Sequence, residues 1–347
     1  MKTYRNLYKE LCSYENLELA FIKARKRKTL KDYVIKFESE LSNNLEQLRQ
    51  ELESFTYAPG KMTEFIVRDP KTRRIGAFPF RDRIVHHAIC NVIQPIFEKD
   101  FIYDSFANQK NKGTHLAIKR LEKFIRKVSV VNKNTVTCGG FALRADVRHY
   151  FDSVDHKILL EIIKRKIKDD KLILLIKNIL ENHKQETIGK GIPLGNLTSQ
   201  FFANVYLNEL DKFVKHVLKA RYYIRYVDDF IILHKNKAVL EKWKNEISNF
   251  LRSALQLELH PEKSRIISLN EGITMLGFRV FYRYRLLKKS NARRIWKRLE
   301  RFKNEIDKND ITITDALKSI EGWMAYAKFA NTHKLRQKVF KTFVNSF

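Results

Sequence analysis

The sequence predicts an α+β protein, and three observations carry that prediction. Residues 1 to 57 place apolar side chains at helical spacing, Leu17 and Phe21, then Phe37, Leu41, Leu45, Leu48 and Leu52, with almost no Gly or Pro to interrupt them. Short runs of β-branched and aromatic residues bounded by turn signals occupy the middle of the chain, at 63–68, 141–147 and 222–233. Helical patterns return at about 290–307, 312–328 and 331–345.

The 347 residues suffice for about two domains or one multi-lobed unit with a substantial core. Lys and Arg number 68 against 39 acidic residues, and the resulting charge of +29 exceeds what solubility needs. It predicts a polyanionic partner, nucleic acid first. No apolar run has the length of a membrane span and the opening residues lack a signal-peptide core, so a soluble, cytoplasmic protein without a membrane partner is expected. Cys12, Cys90 and Cys138 are far apart and lack metal-ligand spacing, which argues against a disulfide framework or a zinc module.

In chain order, the helical opening carries Lys23-Ala-Arg25-Lys26-Arg27-Lys28-Thr-Leu-Lys31, six positive charges and no acid. Lys26, Arg27 and Lys28 are therefore candidate phosphate contacts. Residues 63–68 and 73–77 around the turn Asp69-Pro70-Lys71-Thr72 predict a basic hairpin, on which Lys71, Arg73 and Arg74 could face a triphosphate. A helix is expected from Phe80 through Phe97, with His86 and His87 as structural or phosphate-adjacent groups, and another after the loop 109–115. The run Phe141–Val147 reads as a buried strand that brings out Asp146, with the aromatic Phe151 five positions on. Helices at about 156–167 and 171–183 follow.

Gly189-Lys-Gly191-Ile-Pro193-Leu194-Gly195-Asn-Leu-Thr-Ser199-Gln200 is a glycine-punctuated loop feeding a helix from Phe201 to about Leu218. Glycines allow close backbone approach and the helix start favours phosphate, so this stretch is a candidate nucleotide-binding segment. Tyr222–Leu233 predicts strand, tight turn, strand, with Asp228 and Asp229 at the tip. An ordinary Asp-Asp turn would look the same in isolation. A helix at 237–255, the turn His260-Pro-Glu-Lys263 and a strand at 274–281 come next. Residues 285–304 then hold nine Lys/Arg against the single acid Glu300, with Trp296 and Phe302 interleaved. That pattern predicts a basic lobe gripping a duplex backbone through Arg293, Arg294, Lys297 and Arg298.

Carboxylates from distant strands that converge can hold two Mg²⁺ ions, the requirement of nucleotidyl transfer to a 3′-hydroxyl. Lys263 could serve the leaving pyrophosphate as proton donor or counter-charge.

The succession Arg144-Ala-Asp146-Val-Arg-His-Tyr150-Phe151-Asp152, Pro193-Leu-Gly195-Asn-Leu-Thr-Ser199-Gln200, Tyr226-Val-Asp228-Asp229, His260-Pro-Glu-Lys263 and Met275-Leu-Gly277-Phe278 resembles the ordered motif set of reverse transcriptases. The resemblance covers nearly the whole chain. It implies a right-hand polymerase fold: helical N-terminal segment and fingers at 1–140, palm at 141–285, small helical thumb at 286–347. It also implies Asp146, Asp228 and Asp229 as metal acids, with Val147 beside Asp146 in the metal shell, and Phe151 as a steric gate against a ribose 2′-hydroxyl. Deoxynucleotides, template RNA and the RNA–DNA duplex are then the expected ligands.

The glycine loop bears on the branch. Retroviral and group II intron enzymes usually read Gln-Gly and end Ser-Pro, whereas Leu194 and Gln200 stand at those positions here. This departure resembles the reverse transcriptases of diversity-generating retroelements, as do Tyr4-Arg-Asn-Leu7, Glu15-Asn-Leu17 and Leu286-Leu-Lys-Lys-Ser290. That likeness implies misincorporation opposite template adenine, a structured noncoding RNA and a small oligomeric accessory variability protein as partners, and a prokaryotic or phage-encoded source. Group II-like, retron and defence-associated reverse transcriptases, an RNA-dependent RNA polymerase and a catalytically silent RNA-binding protein are the alternatives.

Overall fold

A computed structural model of the chain describes residues 2–68, 72–131, 138–183 and 187–346. The opening segment forms α1 (Leu7–Leu11), α2 (Tyr14–Arg25), α3 (Asp32–Glu38) and α4 (Leu41–Glu53). Their apolar spacing turns Leu17, Phe21, Leu45, Leu48 and Leu52 inward, where each is buried. Ser13 starts α2 by accepting a hydrogen bond from the Asn16 amide. Strands β1 (Thr63–Val67) and β2 (Arg73–Ala77) pair antiparallel as predicted. Helix α5 (Phe80–Glu98) packs against α1 and α2, and α6 (Thr114–Val128) follows.

After the short pair β3 (Val130–Val131) and β4 (Cys138–Gly139) comes β5 (Phe141–Asp146), then helices α7 (Tyr150–Ser153), α8 (His156–Lys164) and α9 (Asp170–Glu181). Asp155 and Asp169 cap the last two with their side chains. Helix α10 (Leu197–Lys212), which runs on into a π-helical turn at Phe213–Val217, leads to the hairpin β6 (Tyr223–Tyr226) and β7 (Asp229–His234). Helix α11 (Lys237–Leu255), β8 (Arg265–Ser268), β9 (Ile273–Met275), β10 (Phe278–Val280) and β11 (Arg285–Leu287) precede three closing helices. These are α12 (Lys289–Asp307), α13 (Ile313–Ala327) and α14 (His333–Ser346).

The central sheet is antiparallel, with order β6-β7-β5-β8. Because side chains alternate along a strand, its two faces serve two cores. Leu143, Ala145, Tyr223, Phe230 and Ile232 join the helical core built on α1–α5 and α7–α11. Ala142, Ile224, Ile231 and Leu233 join a second core with α6, β9–β11 and α12–α14. With both faces covered, the sheet is a rigid platform whose strand ends emerge at one edge.

Two expectations need correction. The single strand expected at 274–281 is a hairpin, because Leu276 and Gly277 both take positive φ, 49° and 87°, and turn the chain between paired Met275 and Phe278. Strands β8 and β11 had no usable sequence signal. Each is four residues or fewer and exists through its pairing partner.

Candidate active site

The tips of β5, β6 and β7 bring the predicted acids together. Asp146 and Asp229 are direct cross-strand partners, and Asp228 sits in the two-residue turn between Tyr226 and Asp229. Like charges directly opposite each other are unfavourable in a sheet. Two cations offset them here: Lys263 Nζ lies 3.1 Å from Asp146 Oδ1, and Arg144 Nη2 lies 3.7 Å from Asp229 Oδ1. Burial first, then the neighbouring charges of Asp146 and Asp229, push the Asp228 carboxyl up to about 6. Such crowding of carboxylates is what a divalent cation relieves.

Lys263 reaches the site because its turn zips onto the end of β5. Arg148 N donates to Glu258 O at 2.8 Å, Val147 bridges Leu259, and His260 N donates to Asp146 O at 2.7 Å. This places Lys263 on Asp146, while Val147 itself is buried. The donor set, three aspartates, suits a hard cation such as Mg²⁺ or Mn²⁺. Among the described residues no three His, Cys, Asp or Glu side chains are already drawn into one ligand set.

The glycine loop docks on the β1–β2 hairpin. Gly76 N donates to Leu194 O at 2.9 Å and Asn196 Nδ2 donates to Gly76 O at 3.3 Å. Gly195, at φ 111°, allows this approach: a Cβ there would lie 2.8 Å from Ile75 Cγ2 and 3.0 Å from Gly76 O. Gly195, Gln200 and Lys28 line one cleft of about 410 Å³ together with Phe65, Ile75 and Arg83. Leu194 is half-buried, its carbonyl held by the Gly76 amide. Phe151 lies on α7, its ring edge-on to Tyr150 at 5.5 Å and its carbonyl accepting from Ile192 N of the glycine loop.

Other predicted residues stand apart. Arg73 and Arg74 are exposed on β2, Arg74 within 3.7 Å of Glu64, and Lys71 lies outside the described residues. Lys26 and Arg27 are exposed after α2. On α12, Arg294 and Arg298 line a groove of about 410 Å³ with Lys318, Trp323 and Tyr326, while Arg293 and Lys297 face solvent.

Residues 67–280 match the reverse transcriptase (RNA-dependent DNA polymerase) family, well over half of the chain. The chain belongs to the reverse transcriptase family. The reverse transcriptase therefore has the right-hand polymerase fold and carries an RNA-directed DNA polymerase centre, of a family whose chemistry uses divalent metal ions. It is 27% identical over 282 residues to protein YkfC of Escherichia coli, covering 70% of this chain and 72% of YkfC. It is 24% identical over 306 residues to the group II intron-encoded protein LtrA of Lactococcus lactis, where the match spans 67% of this chain but 49% of LtrA. Among solved structures, apo telomerase of Candida tropicalis, truncated from its C-terminal domain, superposes with a TM-score of 0.49 at 16% identity. That superposition covers 69% of this chain and 59% of the telomerase.

Sequence reasoning missed three contributors to this reverse transcriptase site. Arg144 was visible only as part of a motif, yet it faces Asp229. Arg225 and Asp211 form a fully buried pair behind the acid-bearing turn. The available signal was an arginine inside an otherwise aromatic and aliphatic strand, where burial demands a partner.

Proposed function

We propose that this reverse transcriptase copies a retroelement RNA into DNA with Mg²⁺, and does so inaccurately opposite template adenine. The observation that carries the polymerase part is the meeting of Asp146, Asp228 and Asp229 at the ends of paired strands of one sheet. Two Mg²⁺ ions, when bound by these aspartates, would supply activation of the 3′-hydroxyl and charge neutralisation at the triphosphate. Lys28, Gly195 and Gln200 bind the incoming deoxynucleotide, and Phe151 excludes a 2′-hydroxyl. Lys263, which lies 3.1 Å from Asp146 Oδ1, would supply a proton or a positive charge to the leaving pyrophosphate. The thumb cations and Lys26 and Arg27 hold the RNA–DNA duplex and template backbone.

Leu194 and Gln200 support the diversity-generating branch, because an aliphatic side chain in the glycine loop replaces a polar contact to the incoming nucleotide. In that branch a structured noncoding RNA and an oligomeric accessory variability protein join the enzyme in a prokaryotic cytoplasm. The fingers, palm and thumb divide near residues 140 and 285. The likeness to LtrA favours a second reading, a group II-like enzyme of ordinary accuracy.

Primer extension on an RNA template with Mg²⁺ separates these readings. DNA product that disappears in Asp228→Ala/Asp229→Ala and carries errors concentrated opposite adenine is expected. Accurate product would leave the group II-like reading. No product, with or without the noncoding RNA and accessory protein, would overturn the polymerase assignment.

A further inference from the structure

We infer that Arg225 is a positioning residue, which holds the Val227–Asp228 turn in place and thereby sets the affinity of the acid cluster for a divalent cation. This rests on the polymerase reading of that cluster. Arg225 lies on β6 with its side chain on the opposite face of the sheet from Ile224, toward α10, and both it and Asp211 are 0% exposed. Its Nε and Nη2 donate to the two Asp211 carboxylate oxygens at 2.7 and 2.6 Å, a fork-to-fork pair. Tyr223 Oη donates to the same carboxylate at 2.7 Å.

A buried ion pair is a poor stabilising device, since apolar side chains of similar volume often do as well. The remaining guanidinium nitrogen shows a different use. Nη1 donates to Asn204 Oδ1 at 3.2 Å and to the carbonyl of Val227 at 2.9 Å. Val227 immediately precedes Asp228 and has φ 55°, a left-handed conformation that a β-branched residue strongly resists. The arginine therefore clamps the one strained residue of the turn. The clamp is anchored on α10 through Asp211 and Asn204, and Asn204 also donates to Ala107 O at 2.9 Å. Segment 104–106 in turn bonds the β6 backbone at Arg225, with Arg225 N to Asp104 O and Phe106 N to Arg225 O both at 3.0 Å. The helix that leaves the glycine loop and the turn that carries Asp228 are thus fixed to each other through one guanidinium.

The test uses the full chain, with Mn²⁺ binding read by the loss of its free-ion paramagnetic resonance signal and Asp228→Ala defining the site titrated. RNA–DNA duplex affinity, thermal unfolding and the Mg²⁺ dependence of primer extension are read alongside. Arg225→Lys keeps the charge but loses the fork. It should weaken Mn²⁺ binding and raise the Mg²⁺ demand by about 10-fold or more, the usual range for groups that orient metal ligands. Duplex affinity should stay within about twofold, since the thumb is untouched. Adding Val227→Gly should restore most of the Mn²⁺ affinity, because glycine adopts the left-handed conformation without the clamp. Arg225→Met/Asp211→Leu removes both buried charges together and should show the same Mn²⁺ defect. Wild-type Mn²⁺ affinity in that double variant and in Arg225→Lys, even with earlier melting, would overturn the inference and leave the pair a stability element. A wild-type chain that binds Mn²⁺ but makes no DNA would sink the polymerase reading, while the Mn²⁺ titrations would still decide the role of Arg225.

Discussion

At the scale of single residues, motif spacing brought out the three aspartates that the sheet gathers at its strand ends, but not their surroundings. Asp146, Asp228 and Asp229 were legible because strand ends and a turn tip are readable from β-branched runs. Arg225 was not, since nothing in a linear pattern shows that Asp211 lies under it. Phe151 sits one residue beyond buried Tyr150, so its ring is set by a packed neighbour. Phe151→Val should raise ribonucleotide incorporation by about 10- to 100-fold, the range expected when a pocket gains room for a small group; comparing extension with deoxy- and ribonucleotides checks it. Equal discrimination in both enzymes would remove the gate. His86 makes a stability prediction. Burial first, then the charges of His87 and Arg83, holds its imidazole down at about 3, and burial holds His87 at about 4. The folded state thus favours neutral imidazole, so stability is intact above the unfolded value near 6.5 and falls as pH drops toward 3. For His86 the loss is about 2 kcal/mol by pH 5. Urea unfolding at pH 7.5 and 5 should show this loss shrinking in His86→Gln, and parallel curves for the two proteins would refute it.

At the scale of elements, long periodic helices were the most legible. Helix α11 runs Lys237–Leu255, as its apolar spacing indicates. The helix after the glycine loop begins at Leu197 rather than near Phe201, with Asn196 at its N-cap in extended backbone and its side chain bonded to Gly76 O rather than to the first-turn amides. The docking of that loop on β2 could not be read at all, since it depends on two glycines 119 positions apart, Gly76 and Gly195, meeting in space. Gly195→Ala would place a methyl group against Ile75 and the Gly76 carbonyl at φ 111°, so the hairpin must shift. The cost is of order 1–3 kcal/mol, and the KM for deoxynucleotide should rise more than kcat falls, because the cleft rather than the acid cluster is disturbed. Steady-state extension against nucleotide concentration reads this, and an unchanged KM would separate the cleft from nucleotide binding.

Over the whole molecule, the net charge of +29 was the plainest sequence feature, yet it did not say which cations act together. The fold sorts the four candidate cations of the closing helices into two stripes on α12: Arg293 and Lys297 face solvent, while Arg294 and Arg298 face a groove shared with Lys318, Trp323 and Tyr326. A duplex can engage both stripes only if it lies along the helix. Each phosphate that a side chain neutralises releases counterions, so the salt dependence of binding reports how many phosphates are held. Replacing either pair with alanine should lower the slope of log affinity against log salt by roughly 1.8, about 0.9 for each phosphate no longer neutralised. Removing all four should lower it by about twice as much. Fluorescence anisotropy with a labelled RNA–DNA duplex across a salt series measures that slope. If only the Arg294→Ala/Arg298→Ala pair changes it, the duplex occupies the groove and the solvent stripe is free for the template RNA. If neither does, the duplex is held elsewhere, and the basic loop at Lys26, Arg27 and Lys28 becomes the site to titrate next.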